Sequence, residues 1–134
     1  MRFSSKTIHS LKLFLDLAEH YGGDFVSLND IAYRKDISKK YLEQIIPLFN
    51  NSDLLIRNRG KQGGYKLKKS PKDITLKEIV YISEDMLKSN DADDLAIKAI
   101  FDKLDDDIEK YFSNITLEDL LDQERDNYSN SYII

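Results

Sequence analysis

Two short amphipathic segments, SLNDIAYRK and SKKYLEQIIPLFNNSD, stand a few residues apart and run into the basic, glycine-bearing stretch RNRGKQGGYKLKK. That order constrains the chain more than any other feature. In the first segment Ser27 is placed to cap a helix, with Asp30 three residues on in the manner of a capping box. Leu28, Ile31 and Ala32 then face inward. The second restarts at Ser38 and carries Tyr41, Leu42, Ile45, Ile46 and Phe49 at helical spacing. Pro47 lies inside this pattern, where it either kinks the helix or is tolerated beside a displaced carbonyl. Two short helices joined this tightly read as a helix-turn-helix or as an ordinary helical hairpin, and spacing alone leaves both open.

The basic stretch beyond them favours the first. LLIRN and YKLKK read as strands, with Leu55, Tyr65 and Leu67 apolar and Arg57, Arg59, Lys66 and Lys68 polar. Gly60, Gly63 and Gly64 lie between them, where a hairpin tip demands positive φ and a bare backbone comes close to phosphate. The glycines do not form a P-loop, which must open a helix, nor the G-x-G-x-x-G dinucleotide fingerprint. A helix-turn-helix followed by a basic hairpin is the winged-helix arrangement. In it the second helix enters the major groove and the hairpin reaches flanking backbone or minor groove. The expected fold is mainly α, a winged helix-turn-helix with a two-stranded β-hairpin wing and a long C-terminal dimerisation helix.

The flanks fill in that outline. A helix is expected over residues 5–21, with Ile8, Leu11, Leu13, Phe14, Leu15, Leu17 and Ala18 on a broad face and Gly22-Gly23 as its end. After Pro71, Thr75 caps another, with Leu76, Ile79, Val80 and Ile82 inward, and SNDADD is a polar break. LAIKAIFDKLDDDIEKYF then forms a long amphipathic helix, followed by a short one starting at Thr116 with Asp119 three residues on, and a polar tail, NYSNSYII. The long helix has too little of its own chain to cover its apolar stripe, so it is expected to pack against a second copy in a homodimer. The division expected is 1–82 for a winged helix-turn-helix DNA-binding domain and 83–134 for a helical dimerisation region.

Charge supports that division. The chain has 134 residues and a net charge of −4, but residues 1–80 net +6 and residues 81–134 net −10. A basic half beside an acidic half suggests a polyanion-binding module joined to a non-binding one. No apolar run is long enough to span a membrane, and the N-terminal stretch is amphipathic rather than a secretory signal. There is no cysteine, which excludes disulfides, thiolate zinc sites and Cys-ligated iron–sulfur clusters. A cytoplasmic address fits. His9 and His20 lack a nucleophile at any recognisable spacing, the acids read as a solvated helix face, and DADD at 91–94 lacks the EF-hand pattern. No enzyme activity, cofactor or metal site is expected.

The DNA-facing candidates are Ser38, Lys39, Lys40, Tyr41, Glu43 and Gln44 on the second helix, and Arg57, Arg59, Lys61, Gly63 and Gly64 on the wing. Lys suits guanine or phosphate, Gln suits adenine, and Glu accepts from a cytosine amino group. The plainer alternatives are a core role for Tyr41 and, for Glu43, a solvated face or an i,i+4 pair with Lys39. Lys61, Lys66, Lys68 and Lys69 are expected to add sequence-blind attraction.

Together VSLNDIAYRKDISKKYLEQIIPLF, LIRNRGKQGGYKL and ITLKEIV resemble the Rrf-two family of bacterial winged-helix transcription regulators. The resemblance covers residues 1–82 closely and the rest as architecture. It implies a homodimer on a palindromic double-stranded DNA operator, with Arg59 entering the minor groove and Lys6 near a phosphate. SSKTIH departs from the family's S.KGRY by putting Ile8 where a basic residue stands, and Lys40 replaces a small polar residue. Sensing members carry three cysteines in the loop before the long helix; here residues 84–94 have none. The cluster-free cysteine-metabolism repressor branch is the nearer likeness by this criterion and by the YII end. Regulation is then left to a small-molecule effector, a metabolic-enzyme corepressor or protein abundance. The rival reading is a winged-helix protein-interaction module that binds a metabolic enzyme through its acidic C-terminal half.

Overall fold

The computed structural model describes the backbone of residues 2–61, 63–85 and 93–132, and the side chains of these up to Asn127. Its elements run α1 Ser5–Glu19, α2 Leu28–Lys35, α3 Lys39–Ile45, β1 Leu55–Asn58, β2 Gly64–Leu67, α4 Leu76–Glu84, α5 Leu95–Ser113 and α6 Leu117–Tyr132. Most of the polar break at 89–94 and the last two residues of the YII end lie outside the described residues.

Caps set the boundaries. Ser27 accepts from the Asp30 N–H and Ser38 from the Tyr41 N–H, so α2 and α3 begin where the sequence placed them. Thr75 with Glu78, and Thr116 with Asp119, form reciprocal capping boxes at α4 and α6. Asp36 ends α2 in the left-handed region. Pro47 does not kink α3 but stops it, because it has no N–H to continue the α-ladder. The chain finishes as a 3-10 turn over Ile46–Phe49.

The core lies beneath the helix-turn-helix. Phe14 of α1 meets Phe49 edge to face at 4.9 Å, and Leu13, Leu17, Ile31, Leu42, Ile45, Leu54 and Ile79 close around them, all essentially inaccessible. Each such aliphatic side chain stabilises the fold by about 1.5–3 kcal/mol through burial. Asp16 of α1 is fully buried, yet it receives both Nε (2.9 Å) and a terminal nitrogen (3.0 Å) of Arg34. This bidentate pair clamps α1 to α2, and the carboxylate holds the Arg34 guanidinium above its ordinary pKa.

Packing does not follow the boundary at residue 82. Leu117 and Leu121 of α6 are buried in the same core as α1, and the Leu117 N–H donates to the Ile74 carbonyl at 2.8 Å. Lys35 pairs with Glu124 at 3.4 Å, tying α2 to α6 as well. The polar tail expected from Asn127 onward is also corrected: α6 continues through Tyr132. A helix started by a capping box and anchored by Leu117 and Leu121 propagates cheaply into sequence that would not nucleate one.

α5 differs from every other helix. None of its residues is buried. The side chains that hold it, Glu109 to Lys77 at 2.7 Å and Phe112 against Phe3 at 5.7 Å between ring centres, lie near its C-terminal end. Ile97, Ile100, Phe101, Leu104 and Tyr111 are left exposed at helical spacing, Ile100 by 70%.

Candidate nucleic-acid interface

The interface begins with α3, whose buried face is Leu42 and Ile45. That burial turns Lys39, Lys40, Glu43 and Gln44 outward, and all four are exposed. Two lysines in a first turn with no acid run against the helix dipole. That arrangement costs a little in the free protein. Glu43 is exposed, and among the described residues it forms no ion pair, so the i,i+4 pair with Lys39 is not made. Ser38 spends its hydroxyl on the cap. Tyr41 is half-buried and stands edge-on to His9 at 4.9 Å, joining α3 to α1.

The wing is held to this helix pair by a contact that periodicity does not reveal. Val26 and Tyr65 exchange backbone hydrogen bonds of 2.9 and 2.8 Å, adding one rung of a third strand beside β2. β1 and β2 pair antiparallel, Leu55 opposite Leu67 and Arg57 opposite Tyr65. The expectation that all three wing glycines answer to positive φ is corrected. Gly60 does, at φ 116°, but Gly63 and Gly64 are not among the positive-φ residues. A Cβ on Gly64 would stand 2.3 Å from the Val26 carbonyl oxygen, and one on Gly63 would stand 2.8 Å from the Asn58 and Gly60 oxygens. These two are glycine because backbone packs where a side chain would sit. The Gly63 N–H donates to the Gly60 carbonyl at 2.9 Å and closes the tip.

The wing's charges divide in two. Lys68 pairs with Asp53, and Lys69 with Glu78 at 3.1 Å. The Lys68 partnership pulls the Asp53 pKa down. Lys66 sits 4.4 Å from the Phe25 ring centre and Arg57 5.7 Å from that of Tyr65. Among the described residues, Lys39, Lys40, Arg57, Arg59 and Lys61 make no ion pair at all. Lys39, Lys40, Arg57, Arg59 and Lys61 thus stand uncompensated on α3 and the wing's near edge, while Lys68 and Lys69 are neutralised in place.

Lys39, Arg57, Arg59, Lys61, Gly63 and Gly64 line one open cleft of about 720 Å³ with Ser27 and Asn29 from the start of α2. The structure thus brings half of the sequence-derived candidates together. Lys40, Tyr41, Glu43 and Gln44 lie further along α3. Lys6 stands apart, exposed at the start of α1 near the Glu84 carboxylate. Asn29 was not foreseen; its place beside a capping serine carried no signal until the wing was folded against it.

Comparison with known proteins matches this geometry. The Rrf2 family profile, described as an iron-dependent transcriptional regulator, matches residues 3–123. The Rrf2 protein of Nitratidesulfovibrio vulgaris is 34% identical over 86 residues, 64% of this chain and 57% of that one, so the chain matches little more than half of that relative. The HTH-type transcriptional regulator CymR of Bacillus subtilis is 29% identical over 123 residues, covering 90% of this chain and 89% of that one. Among solved structures, IscR of T. potens superposes with a TM-score of 0.78 at 35% identity over 92% of this chain and 88% of that one. CymR, the global cysteine regulator of B. subtilis, gives 0.76 at 28% over 92% and 98%.

The iron in the family description does not fit these side chains. The sequence offers no thiolate, and the described residues contain no group of three or more His, Asp or Glu able to hold a metal ion. His20 instead uses Nδ1 against the Asp16 carbonyl at 2.7 Å, and His9 packs on Tyr41. No helix among the described residues is long and apolar enough to cross a membrane. With the winged-helix geometry, the unpaired cations and a profile running almost from end to end, the chain belongs to the Rrf2 family of DNA-binding transcription regulators.

Proposed function

We propose that this regulator is a cytoplasmic homodimeric repressor that binds a palindromic operator and works without a cysteine-ligated iron–sulfur cluster. One observation carries the dimer. α5 exposes Ile97, Ile100, Phe101, Leu104 and Tyr111 along one stripe and buries nothing. A second copy presenting the same stripe covers it in a two-fold contact, and two-fold symmetry asks for a palindrome. On each half-site α3 reads the major groove through Lys40, Glu43 and Gln44, Tyr41 steadies that helix, and Arg59 reaches the minor groove. Lys6, Lys39 and Lys61 attract backbone, Ser38 caps the reading helix, and Gly63 and Gly64 hold the wing tip in shape.

With no cysteine to hold a cluster, regulation is left to a small-molecule effector, a metabolic-enzyme corepressor or protein abundance. A gel shift on DNA from its own upstream region tests the reading, with the dimer confirmed by sedimentation. Salt-sensitive retardation that a broken palindrome abolishes is expected. Failure to retard any promoter fragment would overturn it.

A further inference from the structure

The cleft between the start of α2, the start of α3 and the wing is not fully used by the contacts just proposed. Its helix-turn-helix wall is Ser27, Asn29 and Lys39, and its wing wall is Arg57, Arg59 and Lys61. Ser27 accepts from the Asp30 N–H at 3.1 Å, which leaves its O–H as a donor. The Asn29 amide is exposed and, among the described residues, has no hydrogen-bond partner. It faces four cations that are themselves free of acids.

We infer that this cleft seats the phosphodiester strand separating the major groove, occupied by α3, from the minor groove, reached by the wing, and that Asn29 donates to a phosphate there. The inference rests on the DNA-binding reading above and adds a contact to it. Its physical basis is that adjacent grooves of a duplex share one backbone strand. A protein filling the roughly 12 Å major groove with a helix and the roughly 6 Å minor groove with a hairpin must leave a channel for that strand. The open space between Asn29 and Arg59 is such a channel: its walls carry four cations and the amides of Asn29 and Asn58, with Leu28 and Tyr65 contributing apolar surface. Contacts of this type fix register without reading sequence.

The consequence is a gain that a purely structural role for Asn29 would not give. Asn29→Lys places a fifth cation on the strand, whereas Asn114→Lys makes the same charge change at the end of α5, outside the cleft. Both variants and the wild-type protein are titrated by fluorescence anisotropy against a random-sequence duplex and an own-upstream fragment, over a series of salt concentrations. The cleft assignment expects Asn29→Lys to tighten both probes by the same factor, about 3–10-fold. It also steepens the logarithmic salt dependence by about 0.9, while Asn114→Lys leaves the slope unchanged. Equal effects from the two variants, or no effect from Asn29→Lys while the wild-type protein binds, would overturn the assignment and leave the regulator reading standing. Absence of binding by the wild-type protein to either probe would overturn both.

Discussion

The recognition surface and the α5 stripe are both exposed, and they are exposed for opposite reasons. α3 and the wing show water their polar side because the other side is fixed: Leu42, Ile45 and Tyr65 are buried, and Val26 pins β2. α5 shows water its apolar side because none of the described residues covers it. The first surface has its geometry set within a single chain, and the second leaves apolar side chains in water. A preformed site keeps its geometry when its ligand leaves, whereas an uncovered stripe is defined by what covers it.

The difference is broken most severely at the stripe. Replacing Ile100 and Leu104 together by Asp introduces charge where the second copy should pack but removes nothing from the core. We expect sedimentation to report a monomer with unchanged helical content. Operator affinity should fall by about 10²–10⁴-fold as bivalent binding is lost. A variant that remains dimeric would place the interface elsewhere.

Next in size are the wing glycines, which test whether the recognition surface is truly preformed. Gly64→Ala drives a methyl into the Val26 carbonyl and should cost about 3 kcal/mol in urea unfolding, or detach the wing. Gly60→Ala meets no atom within 4 Å but must hold a positive φ, so its cost should be smaller, about 1–2 kcal/mol. Reversal of that order would mean that the wing is not anchored through Val26.

The wing and α3 should then separate by what they read. Arg59→Ala is expected to weaken binding by about 1–3 kcal/mol at the preferred operator and by less on random DNA, if it reads a narrow minor groove. Lys39→Ala should weaken both alike and flatten the salt slope by about 1. Equal losses from Arg59→Ala on both probes would make it a backbone contact.

The smallest effect concerns acid. Burial pushes the Glu84 carboxyl up, but hydrogen bonds from Thr7 and Ser4 and the nearby Lys6 charge outweigh it and leave the pKa below the usual range. A depressed folded-state value stabilises the fold above the unfolded-state pKa, and that stabilisation fades as pH falls through the folded-state value. Glu84→Gln should therefore lower the melting temperature modestly at neutral pH, and the gap should close in strong acid. A gap that widens in acid would contradict this sign.

How much of the molecule was legible in the sequence depends on the range of each interaction. Caps at Ser27, Ser38, Thr75 and Thr116 and the helical periods act within a few residues, so the order of elements could be read directly. Gly64 was visible as a glycine but not as a response to Val26, because the two meet only after the wing folds back. Lys68 and Lys69 looked like Lys61 until Asp53 and Glu78 came beside them. The docking of Leu117 and Leu121 on α1 was hidden for the same reason: an amphipathic period announces a buried face but not what buries it.

The central claim is that the uncovered stripe joins two preformed recognition surfaces into one operator-reading unit. Hydroxyl-radical footprinting of an own-upstream fragment tests it most directly. Two protections centred about 10 base pairs apart or a multiple of that, both lost in the Ile100→Asp/Leu104→Asp variant, are the predicted result. A single protected patch retained by that variant would contradict the account.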